Sequence, residues 1–149
     1  MRVLLVAPHS LGEPRGNSVT LARLAAGLRA AGARVKLLGP DQADPRGRFT
    51  IIHAFHATKA GPRASELAKQ RGAGLVVTLT GTDVNQDLFD PKRGIVVRRV
   101  LEQASALVIF NTAGRARLRR YSKTWAAKTR VIPAAVAPQF FSCGMGREG

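Results

Sequence analysis

Residues 74–88, GLVVTLTGTDVNQDL, constrain the fold of this chain more than any other segment. Residues 75–79 form an unbroken run of apolar and β-branched side chains, which is typical of a strand buried on both faces of a parallel sheet. The run ends in a small, polar segment at residues 80–83. In open α/β sheets, loops diverge at such strand ends and ligands bind there. The sequence therefore predicts a central strand that leads into part of a ligand site.

Short apolar runs recur along the chain, separated by turn residues or by segments with helical spacing. They predict six strands, over residues 2–7, 35–38, 49–54, 75–79, 106–110 and 130–132. Helices are expected to begin near Asn17 or Ser18, at Gly61, at Asp90 and at Thr112. This alternation predicts a doubly wound, Rossmann-like α/β fold, a parallel sheet of about six strands with helices on both faces. We expect the strand order 3-2-1-4-5-6, which makes the first and fourth strands neighbours.

The charge balance is unusual, because 24 Lys and Arg against nine Asp and Glu give a formal net charge of +15 over 149 residues. Such a surface attracts polyanions, anionic lipid or phosphorylated substrates. The basic residues are scattered along the chain, which argues against a dedicated nucleic-acid surface. The run RARLRR at residues 115–120 is interpreted as a solvated helix face, with binding of anionic lipid or of a phosphate-bearing partner as the alternative.

Cysteine usage and missing motifs limit the chemistry. The one cysteine, Cys143, excludes an internal disulfide and suits a reducing compartment, and we expect it to be inert. The first apolar run is too short for a signal peptide or a membrane span, so we expect a cytoplasmic protein, with peripheral membrane contact left open. There is no dinucleotide fingerprint and no P-loop lysine, and we expect neither a metal nor a cofactor.

The loop after the first strand contains LGEPRGNSVT and leads into a helix. Gly16 lets the backbone approach a ligand, and the uncapped N–H groups of Asn17, Ser18 and Val19 would favour a phosphate or a carboxylate. The alternative is an ordinary turn in which Asn17 or Ser18 caps the helix.

The segment HAFHATK places His53 and His56 at the predicted end of the third strand, with Lys59 just beyond. Imidazole there could orient a sugar hydroxyl or a phosphate, or shuttle a proton. A polar sheet edge without function is the alternative, and two histidines without a third ligand do not make a zinc site.

The segment after the central strand consists of Thr80, Gly81, Thr82 and Asp83. Its glycine permits a tight turn or the close approach of a ligand. Asp83 could accept hydrogen bonds from substrate hydroxyls, or it could cap a short helix. Asn85 and Asp87 are expected to be solvated.

The segments GNSVTLARLAAGL, HAFHATKAGP and VVTLTGTDVNQDL, in this order and spacing, resemble the N-terminal domain of family-4-type glycosyltransferases of the GT-B fold. ALVIFNTAGRARL and VIPAAV fit as well, so the resemblance covers residues 1–136. GNSVT with LTGTD also resembles the subgroup that contains selenosugar synthases. On this basis we expect a Rossmann-like domain over residues 1–136, one half of a GT-B architecture, followed by an irregular tail over 137–149.

The resemblance implies a retaining transfer from a nucleotide-sugar donor to a small or lipid-linked acceptor bound in a cleft between two domains. It implies that Gly16, Asn17 and Ser18 approach the donor phosphates together with residues 80–83, while His53, His56 and Lys59 line the acceptor side. Thr80 stands where many relatives have a histidine, and threonine cannot act as a base at neutral pH.

The chain departs from the family in length. The family's second domain, which binds most of the nucleotide and carries two glutamates seven residues apart, has no counterpart here. We expect a truncated product or half of a split enzyme that is inactive alone. The alternatives are a stand-alone module that binds a phosphorylated or glycosylated ligand or a partner chain, and a nucleotide-dependent oxidoreductase, which the missing fingerprint disfavours.

Overall fold

Six parallel strands form one sheet in the computed structural model, which describes residues 1–134. The strands are β1 (Arg2–Val6), β2 (Arg34–Leu38), β3 (Ile51–Phe55), β4 (Gly74–Thr78), β5 (Ala106–Ile109) and β6 (Thr129–Val131). Every predicted strand is present, with its bounds shifted by one or two residues at most. The predicted tail, including Cys143, lies outside the described residues.

Six helices and one 3₁₀ turn connect the strands. They are α1 (Gly16–Ala30), α2 (Gly61–Arg71), α3 (Thr82–Asn85), the turn Asp87–Phe89, α4 (Arg93–Gln103), α5 (Thr112–Tyr121) and α6 (Lys123–Ala127). Asp90 caps α4 as expected, although the helix begins at Arg93, because its carboxylate accepts hydrogen bonds from the N–H groups of Lys92 and Arg93. Helix α6 was not predicted; the Ser122 side chain caps it, and the buried Trp125 anchors it. Within residues 1–134, no helix has the length and apolar character needed to cross a membrane.

The strand order is β2-β1-β3-β4-β5-β6, so the predicted order 3-2-1-4-5-6 is wrong. Strand β3 lies between β1 and β4, and His53 aligns with Leu5 on one side and with Val76 on the other. Strand β2 is the edge instead, and its exposed Arg34 and Lys36 are typical of an edge strand. The topological switch point is therefore between β1 and β3.

Helices cover both faces of the sheet, as predicted, but unequally. Among the helices of residues 1–134, only α1 packs on one face, where Leu21 and Ala25 cluster with Leu5 and Phe55. On the opposite face, α2, α4, α5 and α6 enclose the larger part of the core. The face beside α1 is left with an apolar groove of about 320 Å³. Its apolar lining includes Leu24, Leu28, Phe55, Val108, Phe110 and Ile132.

Candidate functional site

The switch point brings three loops to one crevice at the carboxyl edge of the sheet. They follow β1, β3 and β4, which are consecutive neighbours in the sheet. Because crossovers leave β1 and β3 in opposite directions, the loops diverge there and leave room for a ligand. The loops after β1 and β4 therefore do not face each other directly as predicted, because the loop after β3 lies between them.

Asp83 ties the loops after β3 and β4 together. Its carboxylate is fully buried and accepts hydrogen bonds from the N–H groups of Thr80, Gly81, Val84 and Ala57, at 2.9–3.1 Å for the shortest contact with each. Asp83 lies inside α3, whose cap position is Gly81, so its predicted role as a helix cap is wrong. With four backbone donors on one carboxylate, its observed role is to anchor the two loops. The predicted contact of Asp83 with substrate hydroxyls is disfavoured, because the carboxylate is buried and already accepts these four hydrogen bonds.

The open side of the β4 loop borders a cavity of about 250 Å³. Thr80 and Gly81 line it, and Gly81 has a φ of +122°, a left-handed conformation that side chains rarely adopt. Across the cavity, the Arg117 guanidinium donates a hydrogen bond to the side-chain oxygen of Asn85. Thr82 is exposed at the start of α3 and does not line this cavity. Of the predicted site residues 80–83, only Thr80 and Gly81 thus line the cavity.

His56 shapes the loop after β3. Its Nδ1 accepts hydrogen bonds from the N–H groups of Thr58 and Lys59, both at 3.2 Å, so a neutral ring carries its proton on Nε2. Burial lowers the pKa of His56, and the nearby Asp83 carboxylate opposes that shift. The backbone φ of +93° is uncommon for a residue with a side chain and is stabilised by these contacts. His56 is 3% exposed and therefore supports the loop from within.

Asp87 also supports this region, and the prediction that it is solvated is wrong. Its side chain is 3% exposed, and it accepts a hydrogen bond from the Thr58 hydroxyl at 2.6 Å. The exposed Arg93 guanidinium approaches the same carboxylate at 3.3 Å. Asn85 is exposed, as expected.

His53 does not share a cleft with His56, contrary to the sequence-based expectation. It lies in the middle of β3 rather than at its end, and alternation along the strand turns its side chain to the face that α1 covers. There its Nε2 lies 2.7 Å from the Thr78 hydroxyl, at the wall of the apolar groove. Burial lowers the pKa of His53 to about 4, so its ring is neutral at pH 7.

His9 is a crevice residue that the sequence analysis missed. Partial burial lowers its pKa, and the positive charges of Lys59 and Arg15 and the proximity of His56 add to that effect. The Glu13 carboxylate, which pairs with Arg15 at 2.8 Å, opposes the shift. A histidine directly after a buried strand was the available signal, but the wrong strand order separated β1 from β3.

The start of α1 lies beside this cluster. The helix begins at Gly16, and neither Asn17 nor Ser18 acts as its cap, so the predicted capping role is wrong. The N–H group of Ser18 donates to the Arg15 carbonyl at 3.0 Å. Among the described residues, no acceptor contacts the N–H groups of Gly16 and Asn17. The Val19 N–H also donates to the Arg15 carbonyl, at 3.3 Å, so of the three predicted donors only the Asn17 N–H is available to an anion, together with the Gly16 N–H.

Comparison with known proteins identifies structural relatives only. No protein-family model matches the chain, and no curated protein matches it significantly. A structure of Anabaena HepE in complex with UDP and glucose matches with a TM-score of 0.64 and 16% identity, and it covers 96% of this chain and 48% of HepE. A second HepE structure, in complex with UDP, matches with a TM-score of 0.62 and 15% identity over the same shares of the two chains.

This chain spans about half the length of HepE. At such low identity the likeness establishes the fold, an α/β Rossmann-like fold that matches one half of HepE, as expected for half of a GT-B architecture. Within residues 1–134, no three His, Cys, Asp or Glu side chains are placed to hold a metal ion.

Proposed function

We propose that this chain is the acceptor-side half of a glycosyltransferase that uses a nucleotide-sugar donor and retains the configuration of the transferred sugar. The observation that supports the proposal most is the match of 96% of this chain to half of HepE, whose structures contain UDP and glucose. The resemblance of its sequence motifs to family-4-type glycosyltransferases points to the same activity and to retention. The single cysteine suits a cytoplasmic location.

The crevice offers suitable chemistry for such a transfer. Lowered pKa values leave His9 and His56 neutral at pH 7, and neutral imidazole can orient an acceptor hydroxyl. Lys59 and the free N–H groups at the start of α1 would stabilise the negative charge of a departing phosphate, whereas Arg15 is paired with the Glu13 carboxylate at 2.8 Å. Thr80 and Gly81 would contact the sugar from the other side of the crevice.

Catalysis by positioning requires the acceptor hydroxyl to be held at a fixed distance and orientation from the reacting carbon of the donor sugar. We therefore propose that a second domain or partner chain supplies the remaining donor contacts. The isolated chain is expected to bind the nucleotide-sugar but to form little or no transfer product. Product formation by the 149-residue chain at a rate typical of enzymes would contradict this part of the proposal.

Ligand binding tests the proposal directly. In calorimetric titrations we expect UDP-glucose and UDP to bind, and Lys59→Gln to weaken binding about tenfold because a charge-assisted contact is lost. Lys36→Gln removes an equally exposed lysine from the edge strand and serves as the matched control. An equal loss in the control would contradict the role of Lys59 in the crevice, and binding of NADH alone would favour an oxidoreductase.

The second candidate is a stand-alone binding module that docks on a partner chain. The apolar groove beside α1 supports it, because exposed apolar surface of this kind marks interaction sites, and Ile132 there is 54% exposed. The native mass in source cells separates the candidates. A species well above 15.9 kDa that contains this domain supports the transferase half, whereas a lone 15.9 kDa species favours the module.

A further inference from the structure

The cleft between α5 and α6 is strongly basic. Residues 111–134 contain seven Lys and Arg and no Asp or Glu. Spacings of three and four residues place Arg115 and Arg119 on the face of α5 that meets α6. They line a cleft of about 470 Å³, to which α6 contributes Lys123. Three cationic side chains thus line one concave surface. A helix face that is only solvated, as predicted for residues 115–120, would not need such a cluster.

Arg115 is partly oriented before any ligand binds. Its Nε donates a long hydrogen bond of 3.4 Å to the Ala126 carbonyl, which leaves the two terminal nitrogens of the guanidinium available. The four ion pairs found within residues 1–134 do not include Arg115, Arg119 or Lys123. Because Arg115 and Arg119 are one helical turn apart, their charges repel each other until an anion binds.

The shape of the cleft also suits an anion. Ala116, Ala126 and Ala127 line it and leave space above the helices, and Thr112 adds a hydroxyl at the start of α5. The cleft is separate from the crevice, since Arg117, two residues after Arg115, lines the cavity beside the β4 loop from another side of the same helix.

We propose that this α5–α6 cleft binds a phosphate group, carried by a soluble phosphorylated ligand or by an anionic lipid headgroup. The planar guanidinium of Arg115 contacts two phosphate oxygens, and Arg119 and Lys123 neutralise the remaining charge. This binding does not depend on the proposed glycosyltransferase function.

The test uses the full 149-residue chain and two probes, soluble pyrophosphate and phosphatidylglycerol vesicles, with chloride at equal ionic strength and phosphatidylcholine vesicles as references. NMR signals of residues 112–127 report on pyrophosphate at this cleft, and vesicle sedimentation reports on lipid. The double variant Arg115→Gln/Arg119→Gln is expected to weaken binding of the effective probe about tenfold. The matched control, Arg98→Gln/Arg99→Gln, removes the same charge from exposed positions on α4 and is expected to change binding less than about twofold.

Selective loss of pyrophosphate binding in the cleft variant would identify a soluble ligand as the source of the phosphate. Selective loss of vesicle binding alone would identify a lipid headgroup. If neither probe binds, or if the control loses as much affinity as the cleft variant, only net charge matters and the proposal is wrong. Circular dichroism melting confirms that both variants are folded.

Discussion

Replacing Asp83 with alanine is expected to lower the free energy of unfolding by about 3–5 kcal/mol. The Asp83 carboxylate is fully buried and accepts hydrogen bonds from four backbone N–H groups in the loops after β3 and β4. Alanine leaves the N–H groups of Ala57, Thr80 and Gly81 without an acceptor, whereas the Val84 N–H keeps the Gly81 carbonyl at 3.2 Å. Each unsatisfied donor costs about 1–3 kcal/mol before the loops relax. The same change is expected to weaken ligand binding in the crevice, because both loops lose their shared anchor.

Urea unfolding of three variants measures this effect. Asp83→Asn keeps one accepting oxygen and is expected to lose less stability than Asp83→Ala. Glu102→Ala removes an exposed carboxylate from α4 and is expected to stay within about 0.5 kcal/mol of the parent chain. A loss below about 1 kcal/mol for Asp83→Ala would show that the carboxylate does not hold the loops.

The second large effect is a loss of stability in mild acid that depends on His53. Burial lowers the pKa of folded His53 to about 4, from an ordinary value of 6.5. Between these values the unfolded chain binds a proton that the folded chain does not, so stability falls as the pH falls. The contribution of neutral His53 to the free energy of unfolding is fully present above pH 6.5. About 3 kcal/mol of that free energy is lost when the pH falls to 4.

His53→Gln isolates this contribution. Glutamine can maintain a hydrogen bond to the Thr78 hydroxyl without titrating, so the variant is expected to lose less stability than the parent chain between pH 6.5 and pH 4. Because His9 and His56 remain in both proteins, their own titration cancels in the comparison. Parallel stability profiles for the two proteins would show that His53 is not buried in its neutral form.

The candidate site was predictable in part. Residues 80–83 follow a buried strand, and their place at the carboxyl edge of a parallel sheet follows from local pattern alone. The local sequence pattern did not predict which way individual side chains face. Asp83 faces inward, where backbone donors converge on it, and His53 faces the groove because it lies within β3 rather than at its end. Whether residues 16–18 contact a donor phosphate stays a prediction.

By itself the sequence determined all six strands and the helices α1, α2, α4 and α5, because apolar periodicity reports how each segment is buried along its own length. Only the tertiary structure decided that β3 lies beside β1, which brings His9 to Lys59, and that α6 packs on α5, which gathers scattered cations into one cleft. The pairing of β1 with β3 joins segments far apart in the chain, and the burial pattern of a single segment does not specify its partner. Helix α6 follows α5 directly, and its packing depends on the burial of Trp125.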